Sequence, residues 1–367
     1  MSMDHSNSSI LRLVGKGKRM GTLDARARHV LEQLEICTDR FWGVSEPPYA
    51  QKLETKCQLL SLVYSAFEVR CQQLQLVAPP LEMLWRVYLP LAQWIVAQGE
   101  RAPMEVFVLG VNGAQGSGKS TLCSLLQVIL EIGFGQRVAI LSIDDFYLSR
   151  AERQHLADQV HPLLVTRGVP GTHDVPLAID VLKSLQGANQ ETSTPLPVFD
   201  KALDDPLPRE KWPAFQGKPD VILFEGWCVG AKPEPEQRLA RPVNTLEAEE
   251  DVDGVWRGYV NQVLGSQYRR LFGLLDGLLF LKIPEFEVVY TQRLEQEQQL
   301  AQALRQGRIG RAGRRAMSMP ELRRFIMHFQ RLTEYLLEEM PGRADLVLEI
   351  DEHRQFQGVT QKDLFPS

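Results

Sequence analysis

Two kinds of hydrophobic pattern divide the chain. In the first hundred residues, apolar positions recur at the spacing of amphipathic helices in Leu23–Ile36 and Gln51–Leu76. After two prolines at positions 79 and 80, a third such segment runs from Leu81 to about Gln98. No cluster of polar side chains in this part suggests chemistry. We therefore predict that residues 1–100 form a helical extension that packs on the rest of the protein; a docking surface for a partner is the alternative.

From Glu105 onward, short apolar runs alternate with helical segments. Five runs predict strands: Val106–Val111, Val138–Ile143, Val221–Phe224, Leu278–Ile283 and Leu346–Ile350. Because long connections separate these runs, they indicate a parallel sheet that is covered by helices on both faces. The expected fold of residues 101–367 is therefore a three-layer α/β sandwich around a mainly parallel, five-stranded central sheet.

Two stretches of this second part fit neither a strand nor a long helix. Gly187–Lys218 is rich in proline and polar residues, and Ala231–Asp253 ends in the acidic run Glu247–Asp253. We interpret both stretches as irregular insertions and the acidic run as a solvated face.

The composition narrows the class of protein. The chain has 367 residues, of which 44% are hydrophobic and 24% charged, as is typical of a soluble globular protein of enzyme size. With 41 basic and 46 acidic residues the net charge is -5, which argues against a nucleic-acid binder. No stretch is long and apolar enough to span a bilayer, so we expect no membrane association. The five cysteines lack the spacing of zinc or disulfide frameworks, which favours free thiols in the cytoplasm. A monomer is the default expectation.

The strongest chemical signal is a glycine-rich segment directly after the first apolar run. Gly113–Ser120 matches G-x-x-x-x-G-K-[ST] in full, and an apparent helix follows it. Glycines let backbone N–H groups surround a phosphate, and the helix N-terminus adds partial positive charge. Lys119 is expected to reach the β- and γ-phosphates of ATP, and the Ser120 hydroxyl to bind Mg²⁺. The residues predicted to bind the nucleotide are Gly113, Gly116, Ser117, Gly118, Lys119, Ser120 and Thr121.

Carboxylates follow two of the predicted strands. Asp144, Asp145 and Tyr147 come at the end of the second run, where ligands of an open parallel sheet bind. One aspartate there could accept the proton of an acceptor hydroxyl, although an N-cap and first-turn charge of a helix would use the same residues. Glu225 ends the third run and is expected near Mg²⁺, opposite Ser120. Trp227 just beyond it could close a substrate pocket or simply pack.

Two further segments carry charge that could meet an anionic substrate. Thr166–Asp174 is a shaped loop, rich in proline and glycine, whose Arg167, His173 and Asp174 offer charge and hydrogen bonds; a plain turn is the alternative. A basic stretch within about residues 300–318 has the character of a mobile lid for phosphate oxygens, or else of a solvated or RNA-contacting loop. Its candidate arginines are Arg308, Arg311, Arg314 and Arg315.

Taken together, these motifs resemble the P-loop kinases of the phosphoribulokinase, uridine kinase and pantothenate kinase group. Within that group they resemble in particular the D-glycerate 3-kinases of plants and cyanobacteria. The segments that carry this likeness further are Pro242–Glu247, Trp256, Tyr259 and Met317–Phe325. The resemblance extends over about Glu105–Ile350 and implies a P-loop NTPase fold.

The resemblance also implies an activity, the phosphorylation of D-glycerate to 3-phosphoglycerate by ATP in the photorespiratory glycolate pathway. It makes Asp144 the catalytic base, with Lys119 and Arg167 as further catalytic residues, and gives Glu225 the metal-associated role. Residues expected to face the substrate are Asp145, Tyr147, Arg167, His173, Asp174 and Trp227. Arg167 is the expected partner of the glycerate carboxylate. Another acceptor of the uridine or pantothenate kinase type, or a non-catalytic ATP-binding regulator, remains an alternative.

Overall fold

The computed structural model describes residues 2–17, 20–43, 49–76, 81–102, 105–305 and 317–362. Its helices are α1 Ser2–Gly15, α2 Ala25–Trp42, α3 Tyr49–Gln73, α4 Leu81–Met83, α5 Leu89–Arg101, α6 Lys119–Phe134, α7 Arg150–Gln159, α8 Val175–Gln186, α9 Glu236–Leu239, α10 Thr245–Glu250, α11 Val255–Val263, α12 Arg269–Phe272, α13 Glu287–Arg305 and α14 Met319–Glu339. Two π-helical turns, Leu84–Tyr88 and Leu264–Tyr268, join α4 to α5 and α11 to α12. The three helical segments predicted before residue 100 are therefore confirmed, with shifted ends.

The strands form one central sheet and two small ones. They are β1 Phe107–Gly113, β2 Val138–Ser142, β3 Ser193–Pro195, β4 Phe199–Asp200, β5 Asp205–Pro206, β6 Ala214–Gln216, β7 Val221–Gly226, β8 Gly277–Lys282, β9 Leu346–Ile350 and β10 Phe356–Gln361. The central sheet has the order β10-β9-β8-β1-β7-β2, and every pair in it is parallel except β9 with β10. All five predicted strands are present. The predicted number of five strands is wrong, because β10 adds a sixth at the edge.

Alternation along the central strands sends side chains to two separate hydrophobic layers. In β1, Phe107, Leu109 and Val111 join one buried cluster and Val108 joins the other. The first cluster also contains buried side chains of α1 to α5, so the helices before residue 102 share a core with α6 and the sheet. α3 lies so close to α6 that a Cβ atom on Gly133 would be 2.6 Å from Leu59 Cδ1.

The two insertions contain more structure than the sequence indicates. Within Gly187–Lys218, β3 pairs with β6 and β4 pairs with β5, both antiparallel. The interpretation of Glu247–Asp253 as a solvated face holds for Glu249, Glu250 and Asp253, which are exposed, but not for Glu247, which is fully buried, or Asp251, which is 1% exposed. Arg331 pairs with Glu247 and Arg257 pairs with Asp251, and these ion pairs offset the cost of burying each carboxylate.

Two further features of the fold are the state of its cysteines and the hydrophobicity of its helices. All five cysteines are free thiols, of which Cys37 is exposed and the other four are buried. Among the described residues, no helix has the length and hydrophobicity that crossing a bilayer requires.

Candidate active site

The glycine-rich loop joins the carboxyl end of β1 to the first residue of α6. Gly118 sits immediately before α6 at a φ of 95°, a left-handed conformation that favours glycine. Gly113 ends β1, and the buried Ser117 closes a turn by donating its N–H to the Ala114 carbonyl. The backbone of the loop thus turns toward the helix N-terminus, as a phosphate cradle requires.

Lys119 and Ser120 open α6 from inside this loop. Lys119 Nζ donates to the carbonyls of Gly113 and Ala114, at 2.7 and 3.1 Å. Burial lowers the pKa of its ammonium, and the carboxylates of Glu225 and Asp144 act in the opposite direction. The Ser120 hydroxyl donates to Glu225 Oε1 at 2.7 Å, so the predicted metal pair is in contact. A hydroxyl and a carboxylate are hard oxygen ligands and fit Mg²⁺.

Asp144 and Asp145 lie in the 3₁₀ turn Ile143–Phe146 that follows β2. The capping alternative is partly met, because the Ser142 side chain caps this turn and both aspartates stand in its first residues. Their carboxylates nevertheless line a cavity together with Lys119. Asp144 Oδ1 accepts from the Tyr147 hydroxyl at 2.8 Å, and Oδ2 accepts from Lys201 Nζ at 2.6 Å.

The pKa values of the two aspartates are shifted in opposite directions. Burial alone would raise the pKa of Asp144, but the Lys201 ammonium and the Tyr147 hydroxyl outweigh it and hold that pKa below its usual range. Burial raises the pKa of Asp145 to about 6, although the Phe199 N–H donates to this carboxylate at 3.2 Å. Both carboxylates are therefore mainly ionised at pH 7, and Asp144 keeps its charge to lower pH than Asp145 does.

The loop Thr166–Asp174 places its three predicted side chains in three different surroundings. Arg167 lines the cavity, pairs with Asp204 and lies over the Phe199 ring. His173 is buried behind the cavity wall, where its ring stacks on Tyr147 with centroids 4.6 Å apart. Asp174 caps α8 by accepting from the Leu177 N–H at 2.9 Å, and neither it nor His173 is among the residues that line the cavity.

Tyr268 fixes this loop from behind. Its hydroxyl accepts from the Gly171 N–H at 2.9 Å and shares a hydrogen bond of 2.6 Å with His173 Nδ1. Burial lowers the pKa of His173 to about 4, so the ring is neutral at pH 7. A chain of contacts thus runs from Tyr268 through His173 and Tyr147 to Asp144.

We expect Tyr268→Phe to lower the free energy of unfolding by about 1–3 kcal/mol, because it leaves the Gly171 N–H and His173 Nδ1 without a partner. Urea denaturation at pH 7 measures the change. Tyr259→Phe is the matched control. The Tyr259 ring packs on the same glycine, but its hydroxyl forms no hydrogen bond with any of the described residues. Equal losses in the two variants would contradict a specific role of the Tyr268 hydroxyl.

An aromatic wall completes the cavity. Trp227 is buried, donates its Nε1–H to the Gly168 carbonyl at 2.8 Å and packs edge-on against Phe329 of α14. It therefore lines the cavity and also packs, and its predicted role in closing a substrate pocket stays a prediction. Arg293 of α13 also lines the cavity and lies over the Phe325 ring.

The cavity has a volume of about 580 Å³. Nine of the predicted site residues line it: Gly116, Lys119, Ser120, Asp144, Asp145, Tyr147, Arg167, Glu225 and Trp227. Gly113, Ser117, Gly118 and Thr121 belong to the same loop and helix start but not to the cavity wall. The four lid arginines lie outside the described residues.

Sequence reasoning missed several residues of this wall, chiefly Lys201, Arg293, Phe325 and Phe329. Lys201 follows the short strand β4 in the insertion that was interpreted as irregular, and the others lie on long helices. A larger cavity of about 720 Å³ surrounds the start of β8, at the end of the sheet opposite the loop, and contains none of the predicted site residues. The smaller cavity is therefore the candidate active site.

The fold and this site define a P-loop protein of the kinase class. The chain is 33% identical over 250 residues to the uncharacterized kinase mug58 of Schizosaccharomyces pombe, over 65% of this chain and 84% of that protein. It is 30% identical over 310 residues to the chloroplastic D-glycerate 3-kinase of Arabidopsis thaliana, over 77% of this chain and 62% of that protein. The solved D-glycerate 3-kinase of Cryptococcus neoformans is 26% identical with a TM-score of 0.60, over 75% of this chain and 99% of that chain. No family model matches the chain.

The chain therefore belongs to the family of P-loop kinases that includes D-glycerate 3-kinase. Its relatives support the nucleotide-binding loop and a phosphotransferase activity. Which acceptor receives the phosphoryl group depends on the residues of the cavity.

Proposed function

We propose that the protein transfers the γ-phosphoryl group of ATP to D-glycerate and releases 3-phosphoglycerate. The observation that carries this proposal is the arrangement of one cavity, which is lined by the phosphate-binding loop, by Asp144 in an ion pair with Lys201, and by Arg167. A small acceptor that bears both a hydroxyl and a carboxylate matches a base flanked by positive charge. The two D-glycerate 3-kinases among its relatives support the same acceptor.

The nucleotide side is assigned to the glycine-rich loop. Lys119 leaves the two carbonyls of its own loop and turns its ammonium to the β- and γ-phosphates. Ser120 and Glu225, already in contact, would hold Mg²⁺, one directly and the other next to it. When bound, this ion neutralises the phosphate charge that grows during transfer. Phosphoryl transfer needs mainly such positioning and neutralisation from the protein.

The acceptor side is assigned to Asp144. Its carboxylate takes the proton of the acceptor hydroxyl as that oxygen bonds to the γ-phosphorus, while the bond from phosphorus to the leaving oxygen of ADP breaks. Tyr147 fixes the orientation of the carboxylate through Oδ1. Arg167 is held toward the cavity by Asp204 and offers its remaining N–H groups to phosphoryl or acceptor oxygens.

Other parts of the assignment rest on the sequence alone. The arginines Arg308, Arg311, Arg314 and Arg315 are proposed to close over the phosphates as a lid. A place in photorespiration, a cytoplasmic location and a monomeric state stay predictions.

The test is a coupled assay of ADP release with ATP, Mg²⁺ and one acceptor at a time: D-glycerate, uridine, pantothenate or ribulose 5-phosphate. We expect turnover with D-glycerate at least tenfold above that with each of the others, because only a small hydroxy acid meets both cations and the base. Identification of the product as 3-phosphoglycerate by mass spectrometry completes the test. Turnover with uridine and none with D-glycerate would refute the proposal, and binding of ATP without turnover of any acceptor would favour a regulator.

A further inference from the structure

A short hairpin in the first insertion presents a lysine to the proposed base. β4 and β5 flank the turn that contains Lys201, and the Asp200 carboxylate holds this turn by accepting from the N–H groups of Ala202 and Leu203, at 2.8 and 3.2 Å. The side chain of Lys201 is 60% exposed, yet its Nζ lies 2.6 Å from Asp144 Oδ2. The hairpin therefore fixes the backbone of Lys201, while its long, mostly exposed side chain can adopt another rotamer.

Arg167, another cation of the cavity wall, has more partners than Lys201. It pairs with Asp204 and lies 5.6 Å from the centroid of the Phe199 ring. Asp204 in turn accepts from Arg153 Nη2 at 2.8 Å, and Arg153 is 1% exposed. Of Lys201 and Arg167, Lys201 is the one that can change partner without disturbing a network anchored by a buried arginine.

The pairing also has a cost for catalysis. Both oxygens of Asp144 already accept a hydrogen bond, Oδ1 from Tyr147 and Oδ2 from Lys201. A carboxylate next to an ammonium is a weaker base, because the positive charge favours its ionised form. An acceptor that draws Lys201 away would free Oδ2 at the moment when a hydroxyl arrives.

We propose that Lys201 binds the carboxylate of the acceptor and, by leaving Asp144 to do so, frees Oδ2 for the acceptor hydroxyl. This inference rests on the proposed function and adds to it the residue that recognises the acid: through Lys201 the site selects hydroxy acids over neutral alcohols of the same size. A neutral acceptor would have to separate the lysine from Asp144 and offer nothing in return. Lys201 is thus both the recognition element for the acid and the group that releases the base.

The inference predicts opposite effects of one substitution on two acceptors. In Lys201→Met we expect kcat/KM for D-glycerate to fall about tenfold to a hundredfold, mainly through KM, as the loss of one charge-assisted hydrogen bond implies. For glycerol, which lacks the carboxylate, we expect kcat/KM to rise severalfold, because no ion pair has to be broken. The readout is the ratio of the two values at saturating ATP.

Controls separate this effect from damage to the hairpin. Lys211→Met removes an exposed lysine from the same insertion, outside the cavity wall, and should change neither acceptor. Melting temperature and the Kd of ATP report whether each variant is folded, and Lys201→Gln serves if the methionine variant is not. Calorimetric titration of D-glycerate in the presence of a non-hydrolysable ATP analogue should show the weaker binding directly.

Two results would overturn the inference. If Lys201→Met lowers kcat/KM for glycerol and D-glycerate by the same factor, Lys201 only positions Asp144. If it leaves the KM and Kd of D-glycerate unchanged, Lys201 does not bind the acid. Both can occur with full D-glycerate turnover by the wild type, so they leave the proposed function standing. Wild-type turnover of uridine alone would instead refute the proposed function and this inference together.

Discussion

Asp144→Asn is expected to lower kcat with D-glycerate by about two to four orders of magnitude while the Kd of ATP changes less than threefold, roughly the cost of losing a general base. Asparagine keeps the shape of the side chain, and its amide can turn its oxygen to Lys201 and its nitrogen to Tyr147. The geometry of the turn after β2 is thereby preserved. An amide cannot take a proton from the acceptor hydroxyl, so the loss falls on the chemical step.

Steady-state rates and a fluorescence titration with an ATP analogue measure the two quantities. Asp145→Asn is the matched control, because this neighbour lines the same cavity but accepts from the Phe199 N–H. We expect it to lower kcat by about tenfold or less, since a single hydrogen bond to the backbone is weakened. If Asp145→Asn abolished turnover and Asp144→Asn did not, the assignment of the base would be reversed.

Arg331→Met is expected to lower the free energy of unfolding by about 3–5 kcal/mol, which is the usual cost of removing one partner of a buried ion pair. Arg331 Nε and Nη2 donate to the two carboxylate oxygens of Glu247, at 2.8 and 2.6 Å. The Glu247 side chain is fully buried and that of Arg331 is 8% exposed. Without the guanidinium, the Glu247 carboxylate keeps the hydrogen bond of 3.1 Å from the Val243 N–H but loses the charge that balances it.

Urea denaturation of the wild type and the variant gives this difference. Arg324→Met, on the same helix, is the control: Arg324 pairs with Glu250 of the same acidic run, but both side chains are about half exposed. We expect that pair to contribute about 1 kcal/mol or less. Similar losses in the two variants would show that burial does not set the strength of the Glu247 pair.

The parts of the fold that the sequence predicts are those encoded within a few consecutive residues. The five parallel strands are buried along most of their length and therefore appear as unbroken apolar runs. β10 has the pattern of an edge strand, mostly exposed after Phe356, and carries no such signal. The glycine-rich loop is a motif of eight consecutive residues, so its place between a strand and a helix follows directly.

Features that depend on distant partners could not be predicted in this way. Glu247 looks like part of a solvated acidic run until the chain brings Arg331, 84 residues later, against it. Lys201 is 57 residues from Asp144 in the sequence, within a stretch that lacks regular patterning.

Local signals can also have two uses. Asp174 stands directly before α8, whose second residue is a proline, and this pattern is typical of a helix N-cap. In the structure Asp174 has that role. His173, next to it, reaches the candidate site only through Tyr147. Residue type and spacing therefore pointed to a loop that contributes Arg167 to the cavity wall, but could not say which of its side chains face the cavity.

The core that the first helices share with α6 and the sheet matters for synthesis. During translation the helices before residue 102 leave the ribosome before α6 and the sheet, at about 5–20 residues per second. The surfaces on which α3 packs, α6 above all, are made only afterwards. For several seconds the nascent chain therefore lacks the α6 partners of Leu59 and Val63, and the apolar side chains that later stabilise the kinase then form exposed surface that favours aggregation.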